Sequence, residues 1–146
     1  MENSAGETVR IPKYDFRPLL KKNPDVRGWL LMPAASVNNA VVQAEDNEYY
    51  LHTNLYGDYE FAGTLFIDYR CAEDGRNTVI YGHNMKNGSM FAQLHKFEDP
   101  DFFDANREVL IYLPGEVLHY TIFAAHIYDD RHLLYSFDFT DPEVYQ

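Results

Sequence analysis

A histidine that follows an apolar strand and precedes a polar, glycine-bearing loop is placed for proton transfer, and His83 sits so in Tyr81-Gly82-His83-Asn84-Met85-Lys86-Asn87-Gly88-Ser89. A strand end can present such a side chain to a cleft, and an imidazole exchanges protons near neutral pH. By position alone, the residue is open to a catalytic or a structural reading. Cys71 is the chain's one cysteine. Beside an imidazole its thiolate would make a thiol hydrolase; in a surface loop between strands it is incidental. His95, His119, His126 and His132 show no His-Glu-Xaa-Xaa-His or other close ligand spacing, and Asp129-Asp130 and Asp138 to Asp141 lack the EF-hand pattern. No metal site and no cofactor are expected.

The elements that must position these side chains follow from periodicity. Tyr14 to Lys22 carries Phe16, Leu19 and Leu20 at helical spacing and ends in two cations, which suits the helix dipole. Asn23-Pro24-Asp25 stops that helix and can open another helical turn before Gly28. Trp29 to Met32 and Ala40 to Gln43 read as short strands, and Asp46 as the N-cap of a helical turn over Asn47 to His52. Thr64 to Tyr69 and Thr78 to Tyr81 are neighbouring strands around a polar segment with an Asp74-Gly75 turn. Ser89 is predicted to cap a helix that lays Met90, Phe91, Leu94 and Phe97 on the core, and Asp99-Pro100-Asp101 to start a further turn. Glu108 to Leu113 and Val117 to Tyr128 flank Pro114-Gly115-Glu116 as a strand pair. Thr140-Asp141-Pro142-Glu143 has the form of a capping box, so a helix is expected to begin there.

Composition agrees with a sheet-rich fold. The chain has 146 residues, 46% of them hydrophobic, with 12 Tyr and 10 Phe, enough for one core with a preference for strands. A net charge of -11, with no cationic run longer than Lys21-Lys22, argues against nucleic acid as a partner. Met1 to Arg10 lacks the apolar core of a signal peptide, and runs such as Trp29 to Met32 are too short to span a bilayer.

The run "NTVIYGHNMKNGSMF" at Asn77 to Phe91 closely resembles the segment around the catalytic histidine of class B sortases. These are cysteine transpeptidases that attach proteins to the Gram-positive cell wall. The likeness continues, in order, through "NPDVRGWL" at Asn23 to Leu30, "VVQAEDNEYYLHTN" at Val41 to Asn54, "GTLFIDYR" at Gly63 to Arg70 and "DFFDANREVLIY" at Asp101 to Tyr112. Together the blocks span roughly Tyr14 to Phe123, and several in one order are far more specific than any alone.

The resemblance implies a mainly β fold, α+β in detail: a sortase-type barrel of about eight strands with N-terminal helices. It implies His83 as general acid/base and substrate contacts from Asn47, Leu51 and Tyr81. The implied partners are a sorting-signal peptide and a peptidoglycan amine, met at the extracytoplasmic face of the membrane. In the family, a cysteine in a Thr-Leu-Xaa-Thr-Cys-type motif attacks the peptide bond after threonine, and a later arginine steadies the oxyanion. Neither is found in these 146 residues, and Cys71, which follows "IDYR" ahead of the histidine strand, does not align with the nucleophile. The expected organisation is therefore a flexible leader over 1–13 and a sortase-like domain over 14–146 that lacks its late strands and is inactive alone. A sortase-like peptide-binding domain without chemistry, or a hydrolase built on Cys71 and His83, are the alternatives.

Overall fold

A computed structural model describes residues 15–71 and 77–125. Six strands form one mixed sheet in the order β4-β3-β2-β1-β5-β6. They are β1 (Val26–Met32), β2 (Val37–Val42), β3 (Leu65–Ile67), β4 (Ile80–Tyr81), β5 (Glu108–Leu113) and β6 (Glu116–Thr121). Among the described residues, two short helices, α1 (Arg17–Lys22) and α2 (Pro100–Ala105), and 3-10 turns at Pro33–Ala35, Tyr49–Leu51 and Ala92–Glu98 accompany the sheet. The sheet is open among the described residues, with β4 and β6 at its edges, so the β-rich class is as expected without a closed barrel.

Alternation along the strands divides the apolar residues between two faces. Leu30, Val41, Leu65, Ile67, Ile80 and Ile111 point to one side, where Phe97 and Phe102 of the 92–105 segment cover them. Leu31, Val42, Phe66, Tyr81, Leu110 and Tyr112 point to the other, under Phe16 and Leu19 at α1 and Tyr50 of the 49–51 turn. Val26 has the same parity as Leu30 yet belongs to the second face, because the β1–β2 register shifts between Val26 and Gly28. Such a bulge adds one residue and so inverts side-chain direction.

The 108–121 hairpin forms as its sequence predicts, with Gly115 at φ 86 in the turn, but β6 ends at Thr121 and the expected continuation past 125 lies outside the described residues. The capping box at Thr140 to Glu143 lies outside them as well. Two local expectations are corrected. Asn23-Pro24-Asp25 opens no second helical turn: Asn23 Oδ1 accepts the Asp25 N–H at 2.9 Å, and the chain enters β1 at once. Ser89 caps no helix, because its hydroxyl donates to Asn87 Oδ1 at 2.6 Å and Met90 takes a left-handed φ of 56. The following turn starts only at Ala92, as a 3-10 helix.

Tyr50 ties α1 to this framework. Its hydroxyl donates to Asp25 at 2.7 Å and accepts from Asn23 Nδ2 at 2.9 Å. Burial, reinforced by the hydrogen bond to Asp25, pushes the phenol up to about 12.

Candidate active site

His83 lies just beyond β4, two residues past Tyr81 and so on the α1 side of the sheet. Its backbone carbonyl accepts the Phe91 N–H at 2.8 Å, which closes the loop over 84–90. Gly82 is required beside it for space, since a Cβ there would stand 2.5 Å from Leu65 Cδ2 and 2.6 Å from Phe91 Cδ2. Nε2 of His83 is 2.7 Å from the Leu51 carbonyl oxygen. A carbonyl can only accept, so Nε2 carries the hydrogen and, in the neutral ring, Nδ1 holds the available lone pair. The ring is also stacked beside His52, with centroids 5.2 Å apart, and Phe61, at 5.7 Å. His52 is itself held by a 2.8 Å contact from Nδ1 to the Phe61 carbonyl.

The Leu51 carbonyl belongs to the 3-10 turn over 49–51, which Asp46 starts by accepting from the N–H groups of Glu48 at 2.9 Å and Tyr49 at 2.8 Å. The sequence expectation of Asp46 as N-cap is corrected: the turn is shorter and its N-cap is Glu48, while Asp46 steadies the bend that leads into it. Gly63, at φ 60, packs its backbone against the same turn, where a Cβ would stand 2.5 Å from the Leu51 oxygen. The carbonyl that orients His83 is thus fixed from two sides.

His83 shares a cavity of about 340 Å³ with Asn47, Leu51, Tyr81, Thr64, Phe66 and Gly82. The four residues read from the sequence as acid/base and substrate contacts therefore line one space. Cys71 is elsewhere: it borders cavities lined by residues such as Gln43 and Arg27, and its Sγ lies 3.5 Å from the Val79 N–H. Of the other sequence histidines, His95 bonds the Ala92 carbonyl through Nδ1 at 2.6 Å and His119 lies 3.5 Å from Glu108. His126 and His132 are outside the described residues. Among the described residues, no cluster of three or more His, Cys, Asp or Glu side chains could hold a metal ion.

Sequence reasoning missed Asp68. Its side chain is fully buried at the end of β3, where its carboxylate accepts from Arg70 Nε at 2.8 Å, Asn47 Nδ2 at 2.9 Å and the Tyr81 hydroxyl at 3.0 Å. Burial alone would raise this carboxyl, but the hydrogen bonds from the Arg70 side chain and backbone, Asn47 and Tyr81 prevail and hold it well below the usual carboxylate range. Burial, with the bond to Asp68, pushes the Tyr81 phenol up to about 12, so that hydroxyl stays protonated. The one available signal was an acid directly after the apolar run Leu65-Phe66-Ile67, with an arginine two residues on.

Residues 30–145 match the sortase domain family model. The chain belongs to the sortase family. Its relatives are of class B. Over 94 residues it is 45% identical to sortase B of Listeria monocytogenes, a match that covers 63% of this chain and 38% of the Listeria protein. The structure resembles sortase B of Clostridium perfringens at a TM-score of 0.73 and 38% identity, over 75% of this chain and 61% of that one. It also resembles a Streptococcus pyogenes class B sortase involved in pilus biogenesis, with a TM-score of 0.71 and 32% identity over 79% and 66% of the two chains. No helix among the described residues of this sortase chain is long and apolar enough to cross a membrane.

Proposed function

We propose that this sortase chain supplies the substrate-binding, proton-transferring side of a transpeptidase site at the outer face of the cell membrane. It takes a threonine-containing sorting-signal peptide as donor and a cell-wall amine as acceptor. The observation that carries this reading is the fixed His83 ring in the cavity with Asn47, Leu51 and Tyr81. With Nε2 tied to Leu51, the proton enters and leaves through Nδ1.

The reaction runs in two balanced steps. A thiolate adds to the carbonyl carbon of threonine, the C–N bond to the next residue breaks, and the departing amine takes a proton from His83 Nδ1, leaving a thioester. The acceptor amine then adds to that carbonyl, gives a proton back to His83, and the C–S bond breaks to return the thiolate. A fixed cation at the oxyanion completes the site. That Cys71 borders other cavities supports reading it as a bystander rather than that thiol, and the 146 residues by themselves are expected not to turn over peptide.

A threonine-containing peptide bearing a thiol-reactive group tests the assignment. Labelling of Cys71 is expected to proceed at the same rate in the unmodified chain and in His83→Ala. Labelling that collapses in His83→Ala would make Cys71 the nucleophile and overturn the reading.

A further inference from the structure

Two side chains that line the cavity, Asn47 and Tyr81, turn polar groups back towards Asp68. Asn47 is held at both ends: Nδ2 donates to Asp68 Oδ2 at 2.9 Å, and Oδ1 accepts the Tyr69 N–H at 2.9 Å. That pair of bonds fixes which end of the carboxamide is which, leaving one further N–H on Nδ2. The Tyr81 hydroxyl donates to the same Asp68 Oδ2 at 3.0 Å. Arg70 holds Asp68 by both oxygens, with Nε and the backbone N–H on Oδ1 at 2.8 and 2.9 Å and Nη2 on Oδ2 at 2.5 Å. Gln43 Nε2 adds a bond to the Asp68 carbonyl at 3.0 Å.

We infer that Asp68 is the positioning residue of this cavity: it orients Asn47 as an N–H donor for a peptide carbonyl and withdraws the Tyr81 hydroxyl, leaving that residue's ring as an apolar wall. The inference rests on the peptide-binding reading above and specifies its chemistry. Asp68 touches no substrate itself. Asp68→Asn is the informative change. A carboxamide offers oxygen on one side only, and two of the three Arg70 bonds, Nε and the backbone N–H, are on the Oδ1 side. With the oxygen there, the amide nitrogen stands in place of Oδ2 and faces Asn47 Nδ2 and Arg70 Nη2, donor against donor.

The test measures affinity for a threonine-containing sorting-type peptide by calorimetry, together with the side-chain amide signals of Asn47 by NMR. Asp68→Asn and Asn47→Ala are each expected to weaken binding about tenfold, and the double variant no more than the weaker-binding single, since one acts through the other. Tyr81→Phe is expected to stay within about twofold, because the ring remains. The unmodified chain is expected to show one Asn47 side-chain amide proton protected from exchange with solvent, the one bonded to Asp68, and Asp68→Asn to lose that protection. Losses that multiply in the double variant, or a tenfold loss in Tyr81→Phe, would overturn the inference. So would rapid solvent exchange of both Asn47 side-chain amide protons in the unmodified chain, a readout that needs no ligand and holds even if Asp68→Asn does not fold. Absence of peptide binding to the unmodified chain would instead remove the functional reading and leave the amide result to decide on Asp68.

Discussion

Replacing Asp68 by alanine is expected to lower stability by about 3 kcal/mol and the melting temperature by on the order of 10 °C. The reason is what is lost: a fully buried carboxylate that accepts from the Arg70 guanidinium, itself only 22% exposed, from the Asn47 amide and from the Tyr81 hydroxyl. An internal comparison isolates burial as the cause. Asp15 and Arg17 form the same two-pronged contact, at 2.9 and 2.8 Å, but with side chains 52% and 89% exposed. Water screens that pair, and Asp15→Ala is expected to leave the melting temperature unchanged. Thermal unfolding of both variants under one set of conditions checks the contrast.

The same carboxyl gives an acid limb to the stability. Its folded value lies below the unfolded one, so as pH falls through about 4 the unfolded chain takes up the proton first. The contribution of Asp68 is therefore present above that pH and lost as pH drops towards the folded value. Asp68→Asn is expected to flatten this limb, which denaturant midpoints between neutral and acidic pH would reveal.

The second large effect concerns catalysis. When the chain is joined to the cysteine- and arginine-bearing segment of a class B relative, cleavage of a sorting-type peptide is expected, and His83→Ala is expected to reduce its rate about 10²- to 10⁴-fold. A milder loss is expected from substitutions that free the ring without removing it. Gly63→Ala is one, because its Cβ would displace the Leu51 carbonyl that holds Nε2. A His83→Ala fusion that retains most of its activity would show that proton transfer does not pass through this imidazole. Measuring kcat and KM separately assigns the loss to chemistry or to binding.

The central strands were legible because burial on two faces leaves short continuous apolar runs such as Trp29 to Met32, and the Pro114-Gly115 turn between two strand-like runs announces the β5–β6 hairpin. The strand order was not, since nothing in Val41-Val42 or Leu65-Phe66 specifies that they pair in parallel. Helical spacing from Met90 to Phe97 gave the buried face, but the helix is a 3-10 one that begins only at Ala92, because Asn87 engages Ser89 and Met90 pairs with Asn84 across the loop. At the site, His83, Asn47, Leu51 and Tyr81 were found through family likeness, as their separation along the chain hides a shared cavity. Asp68 was hidden for a related reason: its partners Asn47 and Tyr81 lie 21 and 13 residues away, and an acid after a short strand looks like the start of a turn.

The central claim is that the cavity beside His83 receives a sorting-type peptide, and the most direct measurement is an NMR titration of the 146-residue chain with such a peptide. The account predicts saturable shifts centred on Asn47, Leu51, Tyr81 and His83, with Cys71 unmoved. Shifts centred on Cys71, or no saturable shift at His83, would contradict it.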